Sequence, residues 1–320
     1  MSPNDRPTVW QIAGGPQDRS YADQFLKHGV ALIGPGDAGK WNSDRDDSDF
    51  EGGYVRRFAS EVKVGDVFLL RIGRARVRAV GKVAGGYEYF EQFDDVNGWD
   101  LQHGRRVRWL PIEQEWAEQP FGANPTRLSR TQNPQVIEFA LNCLGSEPSS
   151  WRDAPLPPLP LPPPPLVNVP EELADLVAKV LDLSPLYRDA ETFGPLPSED
   201  ELIAHLIVPF FEALGWPTPL IGVKWEKVDV VLFSKLPRSR ETVKFVVEAK
   251  RLGAGIEGAL EQAKSYVNAL GVKCDVVVTD GIRYRLYSAQ NDFAPVHYAS
   301  LALLKEPALG LFNALRRASD

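Results

Sequence analysis

The sequence predicts two domains of different fold class: a mainly-β barrel, then an α/β domain built on a mixed sheet. Three observations carry that expectation. A proline run divides the chain near its middle. Short β-type segments with glycine turns precede the run, and helical stripes alternating with apolar strand runs follow it.

The divider runs from Ala154 through Pro155 to Pro165. Proline fixes φ and lacks the N–H donor, so this stretch joins neither a helix nor a central strand. It is expected to be extended polyproline II and to act as a semi-rigid spacer. A proline-rich ligand for SH3-like domains is the competing reading, but the segment lies between two differently patterned halves. The expected layout is a first domain over 1–150, a proline-rich linker over 151–170 and a second domain over 171–320.

The chain has 320 residues, 43% of them hydrophobic, which suits more than one core. No apolar run approaches the ~20 residues that span a bilayer. The first residues, Met1 to Pro7, lack a basic segment followed by an apolar one, so no signal peptide is read. Only two cysteines occur, Cys143 and Cys274, in different halves. That argues against a disulfide framework or a cysteine zinc site and fits a reducing, cytoplasmic setting without membrane contact. Four histidines are too few and too scattered for a histidine metal centre. The net charge of -7 provides no global attraction to nucleic acid, so any such binding must use local basic patches.

In the first half, Val64 to Arg71 reads as a strand. Arg74 to Val83 alternates with period two, which puts Arg74, Arg76 and Arg78 on one face. Arg105 to Leu110 reads as a further strand carrying Arg106 and Arg108. These five arginines are candidates for contacting a phosphate backbone. Aromatic residues are frequent: Trp10, Tyr21, Trp41, Tyr54, Tyr87, Tyr89, Trp99 and Trp109. Aromatic faces beside basic side chains suit a stacked base with its phosphates. The same residues also suit a barrel core with solvated arginines outside.

In the second half, helices are expected near 171–183 and 199–214. Ser198 with Glu201 three residues on forms a capping box for the latter. Strands follow near 227–233 and 243–249. A helix near 255–270 carries Ile256, Leu260, Ala263, Val267 and Leu270 on one stripe. Strands at 275–279 and 284–287 complete a mixed sheet.

The chemistry concentrates here. Val228 to Phe233 carries Asp229, and Val246 to Ala249 carries Glu248 with Lys250 two residues on. Charges in strongly apolar strands are expensive unless paired or bound to a cation. Two carboxylates can hold Mg²⁺, with Mn²⁺ as a substitute, and such an ion helps hydrolyse a phosphodiester. Glu248 and Lys250 share a strand face, so Lys250 can hold a phosphate or orient water. Gln262 and Tyr266 share a helix face at i, i+4. Glu199 is the further acidic candidate, because the capping box already accounts for Glu201. Surface ion pairs, a packed Tyr266 and a solvated Gln262 are the plainer explanations.

Over 195–290 these motifs resemble the PD-(D/E)XK nuclease superfamily, in the branch of the N-terminal nuclease domains of type I restriction subunits. Ser198-Glu199 ahead of Leu206 to Pro209 and Leu214-Gly215-Trp216 is similar to its first helix. Gln262 to Tyr266 is similar to its Gln-x-x-x-Tyr motif. Val278 to Gly281 before Tyr284 to Tyr287 is similar to the strand pair that follows. Leu202-Ile203 departs from the Thr-Arg often found there. The resemblance implies an α/β PD-(D/E)XK restriction-nuclease fold, metal ligands Asp229 and Glu248, and catalytic roles for Lys250, Gln262, Tyr266 and Glu199.

Over 8–120, Trp10 to Gly15, Val30 to Gly36, Val64 to Asp66 and Ala79 to Val83 are similar to the PUA-like superfamily, closest to its EVE-type domains. Val96 to Asp100 and Arg105 to Trp109 fit related restriction proteins. The resemblance implies a PUA/EVE-like barrel that holds a flipped base in an aromatic pocket. Trp10, Trp41 and Trp99 would form the cage, and Asp37 would accept from an exocyclic amine.

Together the two resemblances imply a modification-dependent endonuclease. It is expected to act on double-stranded DNA carrying a modified base, a modified cytosine, and to cut both strands as a homodimer or larger assembly. The alternatives are a phage-defence nuclease gated by RNA or a nucleotide signal, and a non-catalytic binder of modified DNA.

Overall fold

The computed structural model describes residues 6–15, 20–36, 39–44, 53–96, 99–116, 121, 126–146, 149–186, 197–252 and 256–317. The chain divides into two compact units, Met1–Pro162 and Pro163–Asp320.

The first unit contains β1 (Val9–Ala13), α1 (Ala22–His28), β2 (Val30–Ile33), α2 (Tyr54–Ser60), β3 (Val67–Ile72), β4 (Arg76–Tyr89), β5 (His103–Glu115), β6 (Leu128–Arg130), α3 (Pro134–Gly145) and α4 (Ser149–Asp153). Its six strands lie in the order β2-β5-β4-β3-β1-β6, and only the β1–β3 pair is parallel. Register shifts at Val77/Ala79 and Val83/Tyr87 interrupt the long β4–β5 ladder, and such bulges bend a sheet. The result is a curled half-barrel: among the described residues, β2 and β6 each pair with one neighbour, so the expected barrel is open.

Strand alternation builds two cores from this one sheet. Phe68 and Leu70 of β3 join Trp10, Ile12, Val107 and Trp109 on one face. Val67 and Leu69 join Val9, Val77, Val80 and the α3 residues Val136 and Ala140 on the other. Gly81 lies opposite Trp109, and a Cβ there would stand 2.4 Å from the indole. Only glycine leaves the ring room to cross β4.

The proline-rich stretch is held by contacts along its length, as a strap. Arg106 donates to the Pro157 carbonyl and Arg108 to that of Ala154, and Leu159 packs on the first core. Further on, Glu306 N donates to Pro164 O at 3.1 Å and Leu166 N to Leu304 O at 3.0 Å. Proline removes donors but keeps carbonyls, so each unit holds its end of the strap mainly by those acceptors.

The second unit contains α5 (Glu171–Leu186), then a helix α6 over 199–213 with a π turn at Ile203–Ile207. It continues with β7 (Ile221–Trp225), β8 (Val228–Phe233), β9 (Val243–Ala249), α7 (Leu260–Leu270), β10 (Asp275–Thr279), β11 (Arg283–Ser288), β12 (Ala294–Ser300) and α8 (Ala308–Leu315). The strand order is β12-β11-β10-β9-β8-β7. Only β9 and β10 are parallel, and α7 is the crossover between them, so the sheet is mixed as expected. The α6 capping box forms: Ser198 Oγ accepts from Glu201 N at 3.2 Å and Glu201 Oε2 from Ser198 N at 2.9 Å. α7 buries Leu260, Ala263, Val267 and Leu270. β8 is buried along its whole length, Asp229 included.

Strand β7 was not legible from the sequence, and neither was the hairpin that joins it to β8. Trp225 pairs with Val228, so Glu226 and Lys227 are the two turn residues, with φ of 50° and 74°. That turn geometry favours Asn-Gly, and neither residue here is glycine or asparagine. Lys227 therefore belongs to the turn and not to the strand expected from 227. We expect Lys227→Gly to raise unfolding free energy by about 0.5–1 kcal/mol, measured by urea titration. No change or a loss would show that the turn is not strained.

Candidate nuclease site

The site is a row of charges across three neighbouring strands. Val230 pairs with Val247 and Val231 with Val246, so continuing the β8–β9 register by one residue sets Asp229 opposite Glu248. Val223 pairs with Val230 and Trp225 with Val228, which leaves Lys224 abreast of Asp229 on β7. Like charges directly opposite one another destabilise a sheet. The surrounding contacts offset that repulsion.

Asp229 is satisfied on both oxygens. Oδ1 accepts from Lys224 Nζ at 2.8 Å and Oδ2 from the Ala249 backbone N at 2.8 Å. The latter bond ties the acid of one strand to the backbone beside the acid of the next. Glu248 is wholly buried, and its Oε1 accepts from Lys250 Nζ at 2.5 Å. Glu248 Oε2 is buried with no hydrogen-bond partner among the described residues. Burial pushes the Glu248 carboxyl up to about 7, helped by the nearby Asp229 charge and opposed by Lys250.

The line continues onto α7. Lys250 Nζ donates to Gln262 Oε1 at 3.1 Å, and Gln262 Nε2 donates to Tyr266 Oη at 3.0 Å. Five of the six residues named from the sequence, Asp229, Glu248, Lys250, Gln262 and Tyr266, thus meet in one place. The sixth does not enter this network. Glu199 lies in the first turn of α6 without a hydrogen bond or ion pair among the described residues, whereas its neighbour Asp200 reaches Lys224 at 3.1 Å. Asp200 and Lys224 are the members that sequence reasoning missed. Lys224 sits at φ 51° just ahead of an unmarked turn, so periodicity gave no sign of it.

Two facing carboxylates suit a divalent cation that keeps several waters. Glu248 Oε2 stands beside Asp229 without a donor among the described residues, so the two carboxylates fit such an ion. No group of three or more His, Cys, Asp or Glu side chains with metal-site geometry occurs among the described residues.

The first unit gathers a different set. Trp41 meets the Tyr87 ring edge-on at 6.3 Å, and its backbone N donates to Tyr87 Oη at 2.9 Å. Tyr87 Oη and His103 Nδ1 are 2.8 Å apart, and His103 Nε2 is 3.0 Å from Pro35 O. Tyr89 Oη donates to Gly36 O at 2.7 Å. The half-buried Trp41 keeps an indole N–H without a partner among the described residues. Trp99 is half-buried and edge-on to Tyr21 at 6.1 Å.

Several sequence candidates are placed differently from expectation, and one falls outside the described residues. Trp10 is 3% exposed and donates Nε1 to Asp66 Oδ2 at 3.0 Å, so it is a core residue and no wall of an open cage. Asp37 lies outside the described residues. Arg74 is in the turn before β4, while Arg76 and Arg78 both bond Glu113, and Arg78 also bonds Asp23. Arg106 and Arg108 hold the strap carbonyls. Four of the five proposed backbone arginines therefore already have partners.

The raised Glu248 pKa sets a pH dependence. The folded state holds this proton up to about 7, whereas the unfolded carboxyl releases it near the model-peptide value of ~4.3. The folded chain therefore binds more protons in that window, and stability falls as pH rises through it. Compared with Glu248→Gln in metal-free buffer, the wild type is expected to lose on the order of 3 kcal/mol between pH 4.5 and 8. Parallel stability curves for the two proteins would refute it.

Residues 10–130 match the family described as "Domain of unknown function (DUF8426)". No curated protein matches. Among solved structures, the chain is similar to the YTH domain of Zygosaccharomyces rouxii MRB1 protein, crystallised in complex with N6-methyladenosine RNA. The identity is 12%, over 45% of this chain and 87% of that domain, with a TM-score of 0.27.

Proposed function

We propose that this protein is a modification-dependent DNA endonuclease, with a PD-(D/E)XK-type nuclease in its second unit and a modified-base reader in its first. The observation that carries the reading is the continuous line Asp229, Glu248, Lys250, Gln262, Tyr266 at the ends of β8 and β9. Asp229 and Glu248 would hold Mg²⁺ or Mn²⁺. Bound there, the ion supplies charge to a phosphoryl oxygen and makes water a nucleophile near neutral pH.

This chain's own residues do the rest. Lys250, 21% exposed, is steered by two acceptors, Glu248 and Gln262, so its ammonium is aimed and not free to swing. It holds the scissile phosphate as a point charge. Tyr266 fixes the Gln262 amide so that its oxygen faces Lys250. Lys224 bridges Asp200 and Asp229 and holds the Asp229 carboxylate in place.

The reader half rests on the Trp41, Tyr87, Tyr89 and His103 cluster, in which an indole N–H and flat ring faces suit an extruded base. A modified cytosine is the proposed target. One such core cuts one strand, so a double-strand break requires two copies on the DNA.

The purified protein with Mg²⁺ is expected to cut plasmid containing methyl- or hydroxymethylcytosine and to spare the unmodified plasmid. Asp229→Ala and Lys250→Ala are each expected to lower the rate at least about a hundredfold while leaving binding to modified duplex intact. Cutting at the wild-type rate by Asp229→Ala would sink the metal assignment. Equal cutting of both plasmids would sink the reader.

A further inference from the structure

The first unit has a cleft of about 630 Å³ that is separate from its aromatic cluster. Among the described residues, five cations line it, Arg6, Lys63, Lys82, Arg108 and Arg152, with one acid, Asp66. That acid turns inward: Oδ1 accepts from Thr8 N, and Oδ2 from Trp10 Nε1 and Lys63 N, each at 3.0 Å. Its charge is committed to those donors. Lys63 and Lys82 are exposed and have no side-chain partner among the described residues.

The cations are also crowded. Lys82 on β4 is directly opposite Arg108 on β5, an arrangement that destabilises a sheet unless an anion lies across it. Arg108 donates to Ala154 O, which holds its guanidinium in place without neutralising it. Leu141, Leu144 and Trp151 supply an apolar wall. Cations and an indole lining the same cleft, with Arg108 over the Trp151 ring, match a sugar-phosphate chain. For a chain of net charge -7, such a concentration of positive charge is the local patch that nucleic-acid binding requires.

We propose that this cleft, and not the Arg74–Arg78 face, holds the sugar-phosphate backbone of nucleic acid. The proposal rests on the nucleic-acid reading above and adds where the phosphates lie. It assigns the cleft affinity without base preference, since phosphate contacts position and carry no sequence information.

The test is fluorescence anisotropy of the full chain with a labelled duplex in EDTA, modified and unmodified, across a salt series. The double variant Lys63→Gln/Lys82→Gln is expected to bind both duplexes about tenfold more weakly or worse. The slope of log affinity against log salt should fall by about two. Lys63→Arg/Lys82→Arg should restore binding, and Arg76→Gln/Arg78→Gln should leave it unchanged. Wild-type affinity in the glutamine variant would overturn the cleft, as would a loss confined to the modified duplex or no duplex binding by the wild type. Plasmid cleavage with Mg²⁺, run beside it, separates the two readings. Cleavage with an unaffected glutamine variant leaves the nuclease standing and removes the cleft. Cleft-dependent binding without cleavage does the reverse.

Discussion

The second unit is organised around a repulsion. Asp229 and Glu248 are set opposite one another across β8 and β9, in strands otherwise made of valine, leucine and phenylalanine. Like charges so placed destabilise the folded state. The fold tolerates them because Lys224 holds Asp229 from one side, Ala249 N from the other, and Lys250 holds Glu248. Glu248 Oε2 is the remaining deficit. Under the proposed reading, two acids kept together without a full set of donors are where a cation would bind.

The crossover helix α7 spans the parallel pair β9 and β10 and delivers Gln262 and Tyr266 to Lys250. Helix α6 is started by its capping box so that Asp200, one residue beyond Glu199, reaches Lys224. Rigid strands carry the two acids, α7 carries Gln262 and Tyr266 beside Lys250, and α6 carries Asp200 beside Lys224. Sites supported this way hold their geometry better than sites on loops.

The first unit divides its charges in another way. Arg76 and Arg78 are tied to Glu113, and Arg106 and Arg108 to the strap carbonyls. Glu113 offsets the charge of Arg76 and Arg78, so a count of arginines along that strand overstates what a ligand meets, whereas the carbonyls fix Arg106 and Arg108 without neutralising them. Lysines 63 and 82 lie beside Asp66, whose charge is committed, and retain theirs.

Much of the second unit was legible in the sequence. Strand runs with acids inside them, the i, i+4 spacing of Gln262 and Tyr266, and the Ser198–Glu201 box are local patterns, and local patterns survive folding unchanged. The proline run and the alternation around β4 likewise fixed the division into a β half and an α/β half. Tertiary structure alone decided the rest. It chose Asp200 over Glu199, because helix phase at a cap turns on one residue. It brought in Lys224 through a hairpin whose turn residues carry no turn signature. It buried Trp10 beside Asp66 and left Trp41 at the surface of its core, since indoles read alike in sequence and differ only in which partner reaches their N–H. It also turned the proline spacer into a strap, because carbonyl acceptors find their donors only after the sheet has formed.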